Sequence, residues 1–215
     1  MDIEAIRAGE IKDLSGCDLE ETDLSGLDLR HVRLAGANLV GANLSNANLE
    51  RAQLDGANLI GVRLMGADLR ANFLGANLMQ ADLSGADMRG GNFRGANLMA
   101  ANLEKGSLFG AFLSGSNLMS ANLRGVDLRG ADMRGANLSS ANLKGADLNT
   151  AELEGAIFTE SNLEEANLYG TNLSGVNFTS ANLLCADLHQ ATLNGTILTG
   201  ACIEGTVLDE QRSLG

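Results

Sequence analysis

Leucine recurs at every fifth residue along almost the whole chain, and the polar residues keep step with it. The centres run from Leu14 and Leu19 by fives to Leu69, then from Phe73 and Leu78 by fives to Leu208, giving 40 units of the pattern small–Asn/Asp–Leu–x–Gly. Of these centres 33 are Leu; the others are Phe73, Phe93, Phe158, Phe178, Met88, Met133 and Ile203, and the position two before the centre is Ala in 25 units. With the centre called i, positions i−2 and i share parity, so in an extended segment they lie on one face and i−1 on the other. Leu and its small companion therefore point inward, and the Asn or Asp at i−1 points outward. A helix is excluded, because a strict period of five would carry Leu right round a 3.6-residue turn.

Glycine marks the corners. Position i+2 holds 23 of the 27 glycines, the third place of a four-residue turn, where a type II turn needs positive φ. Each unit is then a three-residue strand plus a corner, and the chain winds into a β-solenoid whose coils stack at ~4.8 Å. Like side chains tend to stack when coils superpose. Phe73 and Phe93 are four units apart, as are Phe158 and Phe178; Val40, Ile60, Met79, Met99 and Met119 repeat at the same interval at i+1. Four units per coil gives a square solenoid of about ten coils, roughly 48 Å long. At Leu69-Arg70-Ala71 the corner residue is missing, so one coil should have 19 residues and a tightened corner near Arg70.

Units such as Ala37-Asn38-Leu39-Val40-Gly41 and Ala131-Asp132-Met133-Arg134-Gly135 resemble the A(D/N)LxG repeats of the pentapeptide repeat family, and the likeness covers 199 of 215 residues. The resemblance implies an all-β fold, a right-handed quadrilateral β-helix. It also implies one possible activity. Some members are acidic DNA mimics that bind a type II topoisomerase such as DNA gyrase and protect it from quinolones or toxins. The scarcity of Phe at the centres looks unlike those members.

The open ends of a solenoid must be covered. Over residues 1–11 the expectation is a capping helix across Ile3–Ala8, capped by Asp2 and stopped by Gly9. The repeat then spans 12–210, and 211–215 form a tail with no comparable cap. Two readings of that end stand: a frayed tail folded over it, or pairing with a second molecule through Ile197, Ile203, Val207 and Leu208, beside Leu198.

Apolar residues make up 45% of the chain and charged ones 20%, with 3% aromatic, no Pro and no Trp. That composition is too apolar for disorder and too uniform for an ordinary enzyme. The net charge of −12, from 15 basic against 27 acidic residues, argues against direct binding of nucleic acid or anionic membrane. The stretch Met1-Asp-Ile-Glu-Ala-Ile-Arg lacks the basic-then-apolar pattern of a secretory leader, so none is expected, and no apolar stretch approaches ~20 residues. Cys17, Cys185 and Cys202 suit free thiols in a reducing compartment, so a cytoplasmic location is expected.

Charge is segregated: residues 1–29 carry −7, residues 30–144 carry +4 and residues 145–215 carry −9. The basic middle includes Arg30, Arg70, Arg89 and Arg129 on one face, each with an acid two residues earlier, Asp28, Asp68, Asp87 and Asp127. A salt-linked ladder explains these pairs more simply than a phosphate track. The apolar ladder Val40, Ile60, Met79, Met99 and Met119 falls where solvent is expected, and a contiguous apolar stripe points to a protein partner; alternatively, these side chains lie flat over backbone. His31 and His189 share a face but lie far apart. Cys185, Asp187 and His189, with Tyr169 and Asp209 on adjacent coils, form the best local chemical cluster, without a full ligand set or pocket. The sequence therefore reads as a non-enzymatic interaction rod without cofactor.

Overall fold

A computed structural model describes residues 3–212. Each outward i−1 residue pairs in parallel with the one twenty further on: Asp13 with Arg33, Asp18 with Asn38, Asp23 with Asn43, Asp28 with Asn48, and so on to Asn182 with Cys202. The interval falls to nineteen only for the four pairs that span the missing corner residue, Gln53 with Asn72 to Asp68 with Asp87. Four parallel ladders follow, one on each side of the coil, and we number the sides one to four from Asp13, Asp18, Asp23 and Asp28.

Backbone bonds join coil to coil. Leu14 N–H donates to Arg33 O at 2.7 Å, Gly16 N–H to Ala35 O at 2.9 Å, and Arg33 N–H back to Lys12 O at 2.9 Å, while Cys17 N–H closes the corner onto Leu14 O at 3.1 Å. The same set recurs along the chain and satisfies backbone groups that the closely packed interior would otherwise strand.

Positive φ at i+2 is the rule whatever residue stands there. The 23 repeat glycines have it, and the 15 non-glycine residues of left-handed conformation among the described residues all stand at i+2 too, His31, Lys105 and Cys185 among them. An L side chain in that conformation costs about 1–2 kcal/mol, which explains why glycine leads. The corner is also held from outside. The Oδ1 of the i−1 residue accepts from the backbone N–H two residues on, as Asn48 does from Glu50 at 2.9 Å and Asp13 from Ser15 at 3.2 Å. Asn Nδ2 groups then donate down the stack, Asn117 to Asn97 and Asn97 to Asn77, both at 3.1 Å. Asn and Asp dominate i−1 because this side-chain turn mimics a backbone one.

Inside, the described centres up to Leu188 are essentially sealed from solvent. The Phe73 and Phe93 rings stack with centroids 4.8 Å apart at 6°, and Phe158 and Phe178 lie 5.2 Å apart at 32°. Phe93 takes room that an alanine methyl fills elsewhere: a Cβ on Gly91 would come within 2.8 Å of Phe93 Cε2 and 3.0 Å of the Met88 carbonyl. At the short corner Ala71 N–H donates to Leu69 O at 2.7 Å, a three-residue turn in place of four. The deletion is absorbed there without breaking a ladder.

Helix α1 spans Ile3–Arg7, one residue shorter than expected, and Ile6 is buried with the core. Its end is a Schellman motif: Glu10 N–H donates to Ala5 O at 3.0 Å, Gly9 N–H to Ile6 O at 2.9 Å, and Gly9 has φ 72°. The Asp2 cap lies outside the described residues, as do the last three of the tail.

The other end departs from expectation. Helix α2 covers Val207–Arg212, where the sequence reading continued the repeat to 210 and placed a tail without a cap. Thr206 is its N-cap: the buried hydroxyl accepts from Leu208 N–H at 3.3 Å and donates to Ile203 O at 2.7 Å. Asp209 adds to the cap by accepting from Gly205 N–H at 3.3 Å. Leu208, counted as the last centre, therefore belongs to α2, and Ile203 is the last centre in coil geometry.

Phe73→Ala should cost about 3–5 kcal/mol in chemical denaturation, since it empties a sealed stack. Thr206→Ala should cost about 1 kcal/mol through the lost cap. An unchanged denaturation midpoint would contradict the corresponding claim.

Candidate interaction surfaces

The second side is distinguished by what it lacks. From Asn38 and Val40 to Ile197 and Thr199, neither of its outward positions carries a charge in any coil, although the chain as a whole carries −12. Val40, Ile60, Met79, Met99 and Met119 form its middle and are all half-buried. Side chains stacked at ~4.8 Å cover one another along a ladder, so the stripe is continuous but lies low beside the row of asparagines. Ile157 and Ile197 stand further out, 39% and 46% exposed. The corner leading into this side is glycine in every coil from Gly16 to Gly195, so no side chain projects along that edge.

The fourth side carries the expected salt-linked ladder. Each Arg grips its own Asp through two hydrogen bonds: Arg70 Nε and Nη2 reach Asp68 at 2.9 and 2.6 Å, Arg89 reaches Asp87 at 2.7 and 2.6 Å, and Arg129 reaches Asp127 at 2.9 Å twice. Arg30 and Asp28 pair in the same way. Links also run between coils, from Arg70 to Glu50 at 3.7 Å and to Asp87 at 3.8 Å, and from Arg129 to Asp147 at 3.7 Å. Side-chain hydrogen bonds from arginine hold the Asp68, Asp87 and Asp127 carboxyls below the usual carboxylate range, and Asp132 likewise through Arg134.

Two rungs break the ladder: Asn48 and Glu50 stand between Asp28–Arg30 and Asp68–Arg70, and the second break is aromatic. Between Asp87–Arg89 and Asp127–Arg129 stand Ser107 and Phe109, with the Phe109 ring 50% exposed and the Arg129 guanidinium 5.6 Å from its centroid. A hollow of about 510 Å³ opens there. The sequence reading passed over it, although the lapse from Asp-x-Arg to Ser-x-Phe was the available signal. A second cation–π contact, Arg94 at 4.2 Å from the Phe112 ring, lies on the first side.

The remaining expected residues are dispersed or engaged. His189 Nδ1 lies 2.7 Å from Asp187 Oδ1, while Cys185 is an exposed corner residue. Asp209 is occupied at the α2 cap rather than joining that pair. His31 is itself a corner residue. Among the described residues no group of His, Cys, Asp and Glu could hold a metal ion, and no helix is long and apolar enough to cross a membrane. Of the four residues assigned to pairing at the C-terminal end, Ile197 is exposed, whereas Ile203, Val207 and Leu208 are partly buried against the core.

A four-sided parallel winding built on fives, with asparagine ladders outside and leucine within, defines the class of four-sided β-solenoids. The family model for pentapeptide repeats matches in eight copies, over residues 13–51, 33–70, 70–95, 96–135, 136–175 and 171–209. The chain belongs to the pentapeptide repeat family, whose fold is the right-handed quadrilateral β-helix. Among solved structures it is similar to HetL, a pentapeptide repeat protein involved in heterocyst differentiation regulation in the cyanobacterium Nostoc sp. strain PCC 7120, with 32% identity, a TM-score of 0.52, and 96% of this chain and 95% of that one covered. It also shares its fold with QnrB1, a plasmid-mediated fluoroquinolone resistance protein, at 19% identity and TM-score 0.57, covering 95% and 94% of the two chains. No curated protein gives a significant match.

The lowered aspartate values fix a pH dependence. A carboxyl whose folded pKa is depressed contributes stability above its unfolded pKa, and loses it as pH falls through the folded value. Asp68, Asp87 and Asp127 should thus titrate below 3.8 by carboxyl NMR, with thermal stability falling from about pH 4 downward. Titration of Asp127 at or above 3.8 would contradict the ladder.

Proposed function

We propose that the protein is a non-enzymatic rod of about ten coils that works by binding another protein along its second side, in the cytoplasm. The coils span residues 12–210 of the sequence reading, now shortened by α2, and α1 and α2 close the two ends. The observation that carries this reading is the uncharged side itself. In a chain of net charge −12, one side free of charge over nine coils avoids both repulsion and the desolvation of ions when a partner docks. Val40, Ile60, Met79, Met99 and Met119 supply the apolar contact, and methionine adapts to the shape it meets. HetL is involved in the regulation of heterocyst differentiation; for this chain, a regulatory role exercised through protein contact is the reading we favour. Direct contact with nucleic acid or a membrane is not part of the reading.

A second reading rests on charge. The ends carry −7 and −9, and an acidic rod of this family imitating DNA toward a type II topoisomerase would bind DNA gyrase. The middle of the rod, at +4, is unlike DNA. Pairing of two molecules through the C-terminal coil would rest chiefly on Ile197, which is exposed, since Ile203, Val207 and Leu208 are partly buried against the core.

Affinity capture from the source cytoplasm should retain a partner on the wild-type rod and on Val207→Glu, and lose it on Met99→Glu. Capture that survives Met99→Glu contradicts the second-side reading. Dose-dependent inhibition of gyrase supercoiling, or protection from a quinolone, would defeat it in favour of the DNA mimic.

A further inference from the structure

The aromatic broken rung on the fourth side has the makings of a second, separate site. Where the next coil up carries an aspartate, the arginine meets more than its own: Arg70 lies near Asp68, Glu50 and Asp87, and Arg129 near Asp127 and Asp147, whereas Arg30, below Asn48, pairs with Asp28 alone among the described residues. Arg89 has Asp87 alone among the described residues, and that carboxylate is shared with Arg70. The cause is local. The next coil up from Arg89 offers Ser107 where the coils above Arg70 and Arg129 offer Asp87 and Asp147, so the carboxylate that would complete the arginine is replaced by a hydroxyl.

Three further features converge on that place. Phe109 stands where the ladder has arginine at Arg70, Arg89 and Arg129, and presents a half-exposed ring between Arg89 and Arg129. Lys105 lies at the adjoining corner with its side chain 80% exposed, 3.8 Å from Glu104. The hollow of about 510 Å³ that these residues line with Asp87 is of the size that small groups occupy. Its charged lining, Arg89, Arg129 and Lys105 against Asp87 and Asp127, is one unit positive in a chain of net charge −12.

We propose that this hollow binds an acidic peptide segment of a partner protein, with a carboxylate taking the place of the missing aspartate and an adjacent aromatic side chain lying on Phe109. The carboxylate accepts hydrogen bonds from Arg89, Ser107 and Lys105, and charge assistance makes such bonds strong. Aromatic contact with a ring that the Arg129 guanidinium already approaches gives the selectivity for an aromatic neighbour. This site is on a different side from the Val40–Met119 stripe and does not rest on it.

The chain has no tryptophan, so the probe can be N-acetyl-Glu-Trp-Glu-amide, followed by its own fluorescence against the full-length protein. Binding should be measurable for this peptide, weaken with added salt, and be lost for N-acetyl-Lys-Trp-Lys-amide. The double variant Ser107→Asp with Phe109→Arg rebuilds the rung as its neighbours are built, so the fold should persist in circular dichroism while affinity falls by about tenfold or more. Arg89→Gln should weaken binding in the same direction. Met99→Glu should leave it unchanged, which separates failure here from failure of the second-side reading. The proposal is overturned if the wild type binds none of the peptides, if the double variant binds as well as the wild type, or if the lysine peptide binds equally. Inorganic phosphate displacing the peptide at equal concentration would also overturn it, by making the hollow a bare anion site.

Discussion

Every feature of this molecule depends on the superposition of one coil on the next. A strand of three residues has no stability alone, since short isolated strands bury too little and leave their backbone groups to water. Bonds such as Leu14 N–H to Arg33 O, at 2.7 Å, tie each strand to the same place one coil on. They form only if the interval is constant, which is why the period of five is kept so strictly. The single lapse at Leu69-Arg70-Ala71 is tolerated because it falls in a corner, where a tighter turn takes up the difference.

Superposition turns sequence period into surface. Residues far apart in the chain become neighbours, and a substitution repeated at the coil interval becomes a stripe. The asparagine ladder, the uncharged second side and the Asp–Arg ladder of the fourth all arise in this way. Function on such a scaffold is written in the outward positions, while the inward ones are spent on packing. The same rule makes exceptions meaningful: Ser107 and Phe109 stand out only because the rungs around them agree.

Much of this was legible from the residues. Period and parity gave the inward leucines, glycine gave the corners, and the paired phenylalanines gave the number of units in a coil, seen as one stacked and one tilted pair of rings 4.8 and 5.2 Å apart. The Asp–Arg pairs were likewise readable two residues apart. Helix α2 was not, because Leu208 keeps the phase of the repeat and so looked like one more centre. The contrary signal was Thr206 followed three residues later by Asp209, a helix-start pattern that the regular leucines outweighed. For the Val40–Met119 stripe the sequence left two readings open, an exposed apolar contact or side chains lying flat over backbone, and the half-burial of all five residues, from coils covering one another, sits between them. The hollow at Phe109 was missed because its meaning lies in contrast with residues twenty positions away.

The central claim is that coils superpose at a constant spacing along the whole rod. Ser15 and Ser174 occupy the same outward place on the first side, eight coil steps apart. With Cys17, Cys185 and Cys202 replaced by serine, spin labels at Ser15→Cys and Ser174→Cys allow that length to be measured by double electron–electron resonance. The account predicts one narrow distance distribution centred near about 38 Å, eight steps of ~4.8 Å. A broad distribution, or a maximum displaced by more than about 10 Å from that length, would contradict it.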